Sequence, residues 1–231
     1  MKVRFCGWLM VGFIGLMANA VMGQTPLERG KYLVEGIAAC GNCHGARDAK
    51  GNTVPSRGLS GGEVFDAPVF KAYASNITPD PETGIGKWTD AQLGKAIREG
   101  VRPDGTIIGP PMPVEFLRAM SDSDLAAIIA YLRAQPPVAN KVPKSQYKIP
   151  LPPSYGPPVA NVQTPARSDA VKYGAYLASI GHCMECHTPL VKGQLDMSRV
   201  GSGGRTLDGP WGQSLSRNLT AGQGGIGNWT D

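Results

Sequence analysis

Little in this chain points to substrate chemistry. No segment resembles a nucleotide-binding glycine loop or a hydrolytic triad, and the 231 residues hold only three histidines, His44, His182 and His187. No run of Lys or Arg stands out against a formal net charge of +5, so nothing invokes nucleic acid. No convincing alternating strand can be picked out. Beyond the first two dozen residues, no apolar run approaches the ~20 residues that a spanning helix needs.

Those first residues read as a targeting segment. Lys2 and Arg4 are followed by an apolar stretch from Trp8 to Met17 and by the small residues Ala18–Asn19–Ala20. A basic start, a short apolar stretch and an A-x-A end predict a secretory signal peptide over 1–23 and export to the periplasm. Without Lys2 and Arg4 the charge falls from +5 to +3 (5 − 2). Cys6 leaves with the same segment.

The other four cysteines form two C-x-x-C pairs, and a histidine follows each: Cys40–Gly41–Asn42–Cys43–His44 and Cys183–Met184–Glu185–Cys186–His187. The surroundings recur with them. Tyr32–Leu33 returns as Tyr176–Leu177, Gly61–Gly62 as Gly203–Gly204, Asp66 as Asp208, Pro68 as Pro210, and Asn76–Ile77–Thr78 as Asn218–Leu219–Thr220. Gly84 to Asp90 returns as Gly225 to Asp231, with Trp88 becoming Trp229. The offset drifts from 144 (176 − 32) to 141 (231 − 90), which small loop deletions explain. One domain was copied.

Between the copies runs a proline-rich segment, from Pro136–Pro137 to Pro165. Proline fixes φ and lacks an amide donor, so extended packing as a semi-rigid linker is expected. In the first copy, helices are announced by caps. Thr25–Pro26–Leu27–Glu28 and Thr89–Asp90–Ala91–Gln92 are capping boxes, Gly100 closes the second helix, and Ser121 opens a third. In that third helix Leu125, Ile128, Ile129 and Leu132 share a face. The expected fold is all-α: one domain over 24–135, a linker over 136–167, and a second domain over 168–231 that is incomplete at its C-terminus.

Two cysteines three positions apart can each form a thioether with one porphyrin, and the adjacent histidine then serves as axial ligand to the iron. Two covalent c-type haems are therefore expected, attached at Cys40, Cys43, Cys183 and Cys186 and ligated by His44 and His187. A shared zinc site is disfavoured because the pairs lie about 140 residues apart in separate repeats. A redox disulfide would call for a thioredoxin-like βαβ context, which is missing. For the opposite face of the first iron the candidate is Met112, held among Pro110, Pro111 and Pro113. A thioether ligand on stiff backbone would raise the potential. Met120 reads as core, and Met197 is a weaker candidate for the second iron. Asn76 and Trp88, with their counterparts Asn218 and Trp229, read as loop-packing and capping residues before propionate ligands.

The succession of C-x-x-C-H, N-x-T-P-D-x-x-T-G-I-G-x-W-T-D, P-x-M-P and a short acidic-capped helix resembles the multihaem cytochrome c subunits of membrane-associated bacterial dehydrogenases. The alcohol and gluconate dehydrogenase cytochrome subunits are the nearest in kind. The resemblance implies cytochrome c domains with His/Met-ligated haem: Cys40, Cys43, His44 and Met112 for the first, and Cys183, Cys186 and His187 for the second. It also implies a partner, the catalytic subunit of a periplasmic dehydrogenase, and electron delivery to ubiquinone or an oxidase with peripheral membrane association. One departure stands out. The counterpart of Met112 would fall near position 253 (112 + 141), past Asp231, so a fragment of a longer chain is expected. A dihaem peroxidase-like enzyme, whose distal histidine could only be His182, and a freestanding shuttle cytochrome stay open as alternatives.

Overall fold

The computed structural model describes residues 24–209 and 212–230. The proposed signal segment, Pro210 and Asp231 lie outside the described residues.

Caps set the helices of the first repeat. Helix α1 (Pro26–Tyr32) starts at Thr25, whose hydroxyl accepts from the Glu28 amide while the Glu28 carboxylate accepts from the Thr25 amide. It runs on through a π-helical turn, Leu33–Ile37. Helix α2 (Gly41–His44) carries the first motif, and α3 (Asp90–Glu99) begins at the Thr89–Gln92 capping box. Gly100, at φ 67°, ends α3 in the left-handed conformation that glycine adopts without a Cβ penalty. Helix α4 (Val114–Leu117) is a single turn, and α5 (Asp122–Arg133) is capped by Ser121. Leu125, Ile128, Ile129 and Leu132 of α5 are buried and pack with Leu33, Val34, Leu93, Leu117 and Met120. Below this core, Arg29 of α1 and Asp124 of α5 form a buried, two-pronged ion pair, with Nε–Oδ1 at 2.8 Å and Nη2–Oδ2 at 2.7 Å.

The all-α expectation is wrong: the described residues are 31% helix and 13% strand, in several small sheets. Strands β1 (Val64–Ala67) and β2 (Phe70–Tyr73) form an antiparallel hairpin, and β3 (Gln146–Tyr147) from the proline-rich segment pairs with β2. In the second repeat, helices α6 (Ala170–Ile180) and α7 (Cys183–His187) are followed by the two-residue strands β4 (Leu190–Val191) and β5 (Gln194–Leu195). The hairpin of β6 (Thr206–Gly209) and β7 (Gly212–Leu215) then repeats β1–β2. The miss has a physical cause. Strands of two to four residues are too short for a period of two to stand out, and most of their residues lie at least partly exposed.

The proline-rich segment is laid along the first repeat. The Val138 carbonyl accepts from Asn76 Nδ2 at 2.8 Å, Asn140 Nδ2 donates to the Ser60 carbonyl, and the Val162 carbonyl accepts from the Asp122 amide. The segment then delivers α6 to the first repeat, where Tyr176 and Ile180 join the buried core. Among the described residues, no helix is long and apolar enough to cross a membrane.

Candidate functional site

Each C-x-x-C-H motif occupies about one helical turn. Helical spacing of three puts Cys40, the N-cap residue of α2, and Cys43 on one face of that turn, and Cys183 and Cys186 on one face of α7. Burial pushes the Cys40 thiol up to about 11, and it also raises those of Cys43 and Cys186. Cys40, Cys43 and Cys186 are therefore held as neutral thiols, not thiolates.

The histidines are oriented by backbone. His44 Nδ1 lies 2.7 Å from the Ser75 carbonyl oxygen, and His187 Nδ1 lies 2.7 Å from that of Arg217. A carbonyl can only accept, so Nδ1 must carry the proton in both rings, which leaves the Nε2 lone pair free. Burial lowers the His44 pKa more than its bond to Ser75 raises it, which keeps the imidazole neutral.

The β-hairpins hold those carbonyls in place. The Gly61 amide donates to the His44 carbonyl at 2.9 Å, and the Gly203 amide donates to that of His187 at 2.7 Å. The Gly62 and Gly204 amides then donate to the carbonyls of Ala74 and Ser216, the residues before Ser75 and Arg217, whose carbonyls accept from the histidines. At Gly61 (φ 72°) a Cβ would meet the Ser75 carbonyl at 2.5 Å, and at Gly203 (φ 70°) it would meet the Ser216 carbonyl at 2.5 Å. Both positions demand glycine. The recurring glycines are visible in the sequence, whereas Ser75 and Arg217 are not, because a backbone carbonyl leaves no residue-type signature.

Met112 is partly buried and packs against the same apolar cluster as Cys40, Leu59, Ile77 and Trp88. Its loop is braced by the proline-rich segment: Tyr147 Oη donates to the Pro110 carbonyl at 3.0 Å, and Tyr155 Oη donates to that of Ile108 at 2.8 Å. Gly109 lies so close to this brace that a Cβ would be 2.6 Å from the Tyr147 ring. Met120 is fully buried in the core, whereas Met197 is 71% exposed. His182 stays beside α7, with Nδ1 3.1 Å from Glu185 Oε2. Asn76 ties its loop together, accepting from the Thr78 amide and donating to Thr83 Oγ1, and Asn218 repeats the bond to the Thr220 amide.

Each motif thus presents two cysteine sulfurs and one imidazole nitrogen. That donor set fits thioether attachment of a macrocycle plus one axial ligand better than a four-thiolate or mixed metal site. The Cytochrome c family model matches residues 27–136. A diheme cytochrome c-type of Cereibacter sphaeroides is 31% identical over 208 residues, which cover 85% of this chain and 67% of the relative. The chain belongs to the cytochrome c family. Family membership implies covalently bound haem c. This cytochrome is also similar to the alcohol dehydrogenase (quinone) cytochrome c subunit of Gluconobacter oxydans, at 31% identity over 97% of the chain and 50% of the relative. A nicotinate dehydrogenase subunit of Pseudomonas putida is 38% identical over 71% of the chain but only 14% of the relative. The cytochrome therefore spans half or less of these two dehydrogenase subunits.

Proposed function

We propose that this cytochrome carries two c-type haems and works as an electron-transfer subunit, taking electrons from the catalytic subunit of a periplasmic dehydrogenase and passing them to ubiquinone or an oxidase. Cys40 and Cys43 would anchor the first haem, with His44 and Met112 as axial ligands; Cys183, Cys186 and His187 would hold the second. When bound, each haem supplies a one-electron Fe(III)/Fe(II) couple. The protein supplies attachment, orientation and a site that does not rearrange. The Ser75 and Arg217 carbonyls fix the proton on Nδ1 of His44 and His187, so that Nε2 is always the free donor. Tyr147 and Tyr155 hold the Met112 loop from outside. Neutral Cys40 and Cys43 thiols suit addition across vinyl groups.

The observation that carries this reading is the doubled carbonyl–imidazole geometry, which comes from two different hairpins and has the same 2.7 Å contact in each repeat. Export by the 1–23 segment and peripheral attachment to the membrane complete the proposal. The test is to express the chain in the periplasm of a host with haem-attachment machinery and to count haem per chain. Two haems are expected in the parent, and one each in His44→Ala/Cys43→Ser and His187→Ala/Cys186→Ser variants. Carbon monoxide added to the reduced protein then reports which iron has an open or weakly held sixth position. Full reduction by a quinone-dependent dehydrogenase supports the subunit role; steady turnover of hydrogen peroxide would replace it with the peroxidase reading.

A further inference from the structure

Helix α6 joins the second repeat to the first at two points. At its centre Tyr176 is buried, with its hydroxyl 2.6 Å from Asp124 Oδ2 and 3.2 Å from both the amide nitrogen and Oγ of Ser121. The phenol has one proton, which goes to the carboxylate, and its oxygen accepts the Ser121 amide proton. Asp124 therefore holds α1 through Arg29 and α6 through Tyr176 at once. Past the end of the same helix, Gly181 lies against the first repeat so closely that a Cβ would be 3.1 Å from the Ile37 carbonyl oxygen. Ile37 precedes Cys40 by three residues, and Gly181 precedes Cys183 by two. Ile180, between the two contacts, is fully buried in the shared core.

The equivalent residue in the first repeat behaves differently. Tyr32 is 41% exposed, with the Arg29 guanidinium 5.3 Å from its ring centroid. Duplication gave two tyrosines at one repeat position, and only the second reaches into the other repeat.

We propose that Tyr176 is a positioning residue: by latching α6 to Asp124 and Ser121 it fixes the two C-x-x-C-H motifs against each other, and so sets the rate at which an electron passes between them. This rests on the two-haem reading above. The exchange is a one-electron transfer within the molecule, in which the centre at one motif is oxidised as the other is reduced, with no proton or co-reactant.

The test compares the two-haem parent with Tyr176→Phe, Tyr176→Phe/Gly181→Val and Tyr32→Phe. Two readouts are used. Hydrogen exchange at the Ser121 amide reads the latch directly and needs no haem. The magnetic interaction between the ferric centres, with the rate of electron equilibration after photoreduction, reads its consequence. Loss of a hydrogen bond to a carboxylate should raise the undocked fraction about tenfold in Tyr176→Phe. Ser121 exchange should speed up in parallel, magnetic coupling and the equilibration rate should fall, and haem content and each centre's absorption should be unchanged. The double variant should lose coupling further, and Tyr32→Phe should match the parent. Unchanged Ser121 exchange and unchanged coupling in both Tyr176 variants would overturn the proposal. A parent with fewer than two haems would instead overturn the two-haem reading, and the latch would then stand or fall on the Ser121 amide.

Discussion

Gly30 of α1 crosses α5 in contact with Ala127, so closely that a Cβ on Gly30 would lie 2.1 Å from the Ala127 carbonyl oxygen and 2.6 Å from Tyr131 Cβ. Two residues before Tyr176, at the same place in the second repeat, Gly174 has nothing within 4 Å of such a Cβ. One substitution should therefore act with opposite sign in the two copies. Gly30→Ala forces the helices apart against backbone and is expected to cost about 3 kcal/mol or more, at or above the top of the usual overpacking range. Gly174→Ala removes unfolded-chain freedom inside a helix and is expected to stabilise by about 0.5–1 kcal/mol. Urea unfolding of the two variants, followed by far-ultraviolet circular dichroism, checks both signs. Equal effects would mean that the two helices share an environment.

Asp124 makes acid stability predictable. Burial alone would raise its pKa, but hydrogen bonds from Arg29 and Tyr176 outweigh this and hold the carboxyl below its ordinary 3.8. A depressed folded-state pKa contributes stability that is fully present above the unfolded value and is lost as pH falls through the folded one. The parent should therefore keep its unfolding free energy down to about pH 4 and lose it steeply below that. Asp124→Asn leaves Arg29 buried without a counter-charge, which should cost about 3–5 kcal/mol at neutral pH, and it should flatten the acid limb. Unfolding curves collected from pH 7 to pH 3 separate the two effects. A variant with the parent's full acid slope would move the titration to another carboxylate.

The Gly61 and Gly203 turns should be intolerant in the same way, in contrast to Gly30 and Gly174. At each a Cβ would press on the hairpin backbone that bears the His44 or His187 acceptor carbonyl, in a backbone conformation that L side chains resist. Gly61→Ala should release the first histidine from Ser75, and Gly203→Ala should release the second from Arg217. Under the two-haem reading each variant keeps its thioether links but shows a perturbed absorption band for one haem only. Loss of both bands in one variant would indicate global unfolding instead.

What the sequence makes legible here is local. Thr25, Thr89 and Ser121 mark helix starts because a cap needs only its own side chain and the next three residues, and all three cap helices as expected. The C-x-x-C-H motifs are legible for the same reason. Ser75, Arg217 and Tyr176 were not, because their roles depend on partners 30 to 55 residues away that only the folded chain brings together. The strands escaped because β3 is two residues of a proline-rich segment, completed by pairing with Phe70 and Lys71. Such pairing is a property of the docked segment and leaves no pattern in the run from Pro143 to Pro150.

That docked segment also bears on Met112. Tyr147 and Tyr155 donate to carbonyls two and four residues before the sulfur-bearing residue, so the brace acts on the loop backbone and not on the thioether itself. Removing one neutral hydrogen bond of this kind costs about 1 kcal/mol. Tyr147→Phe and Tyr155→Phe should therefore leave the fold intact and weaken the grip on the loop, and the double variant should do so more. If Met112 is the sixth ligand of the first iron, the weak far-red band of a thioether–ferric iron bond should decline in these variants, and carbon monoxide should bind the reduced protein faster. Met112→Leu keeps the side-chain volume nearly unchanged, so it should fold at a cost below about 1.5 kcal/mol. It should nevertheless abolish the band and lower the potential of that haem. Persistence of the band in Met112→Leu would assign the ligand elsewhere. Its persistence only in the tyrosine variants would mean that the proline framework of Pro110, Pro111 and Pro113 holds the loop without the brace.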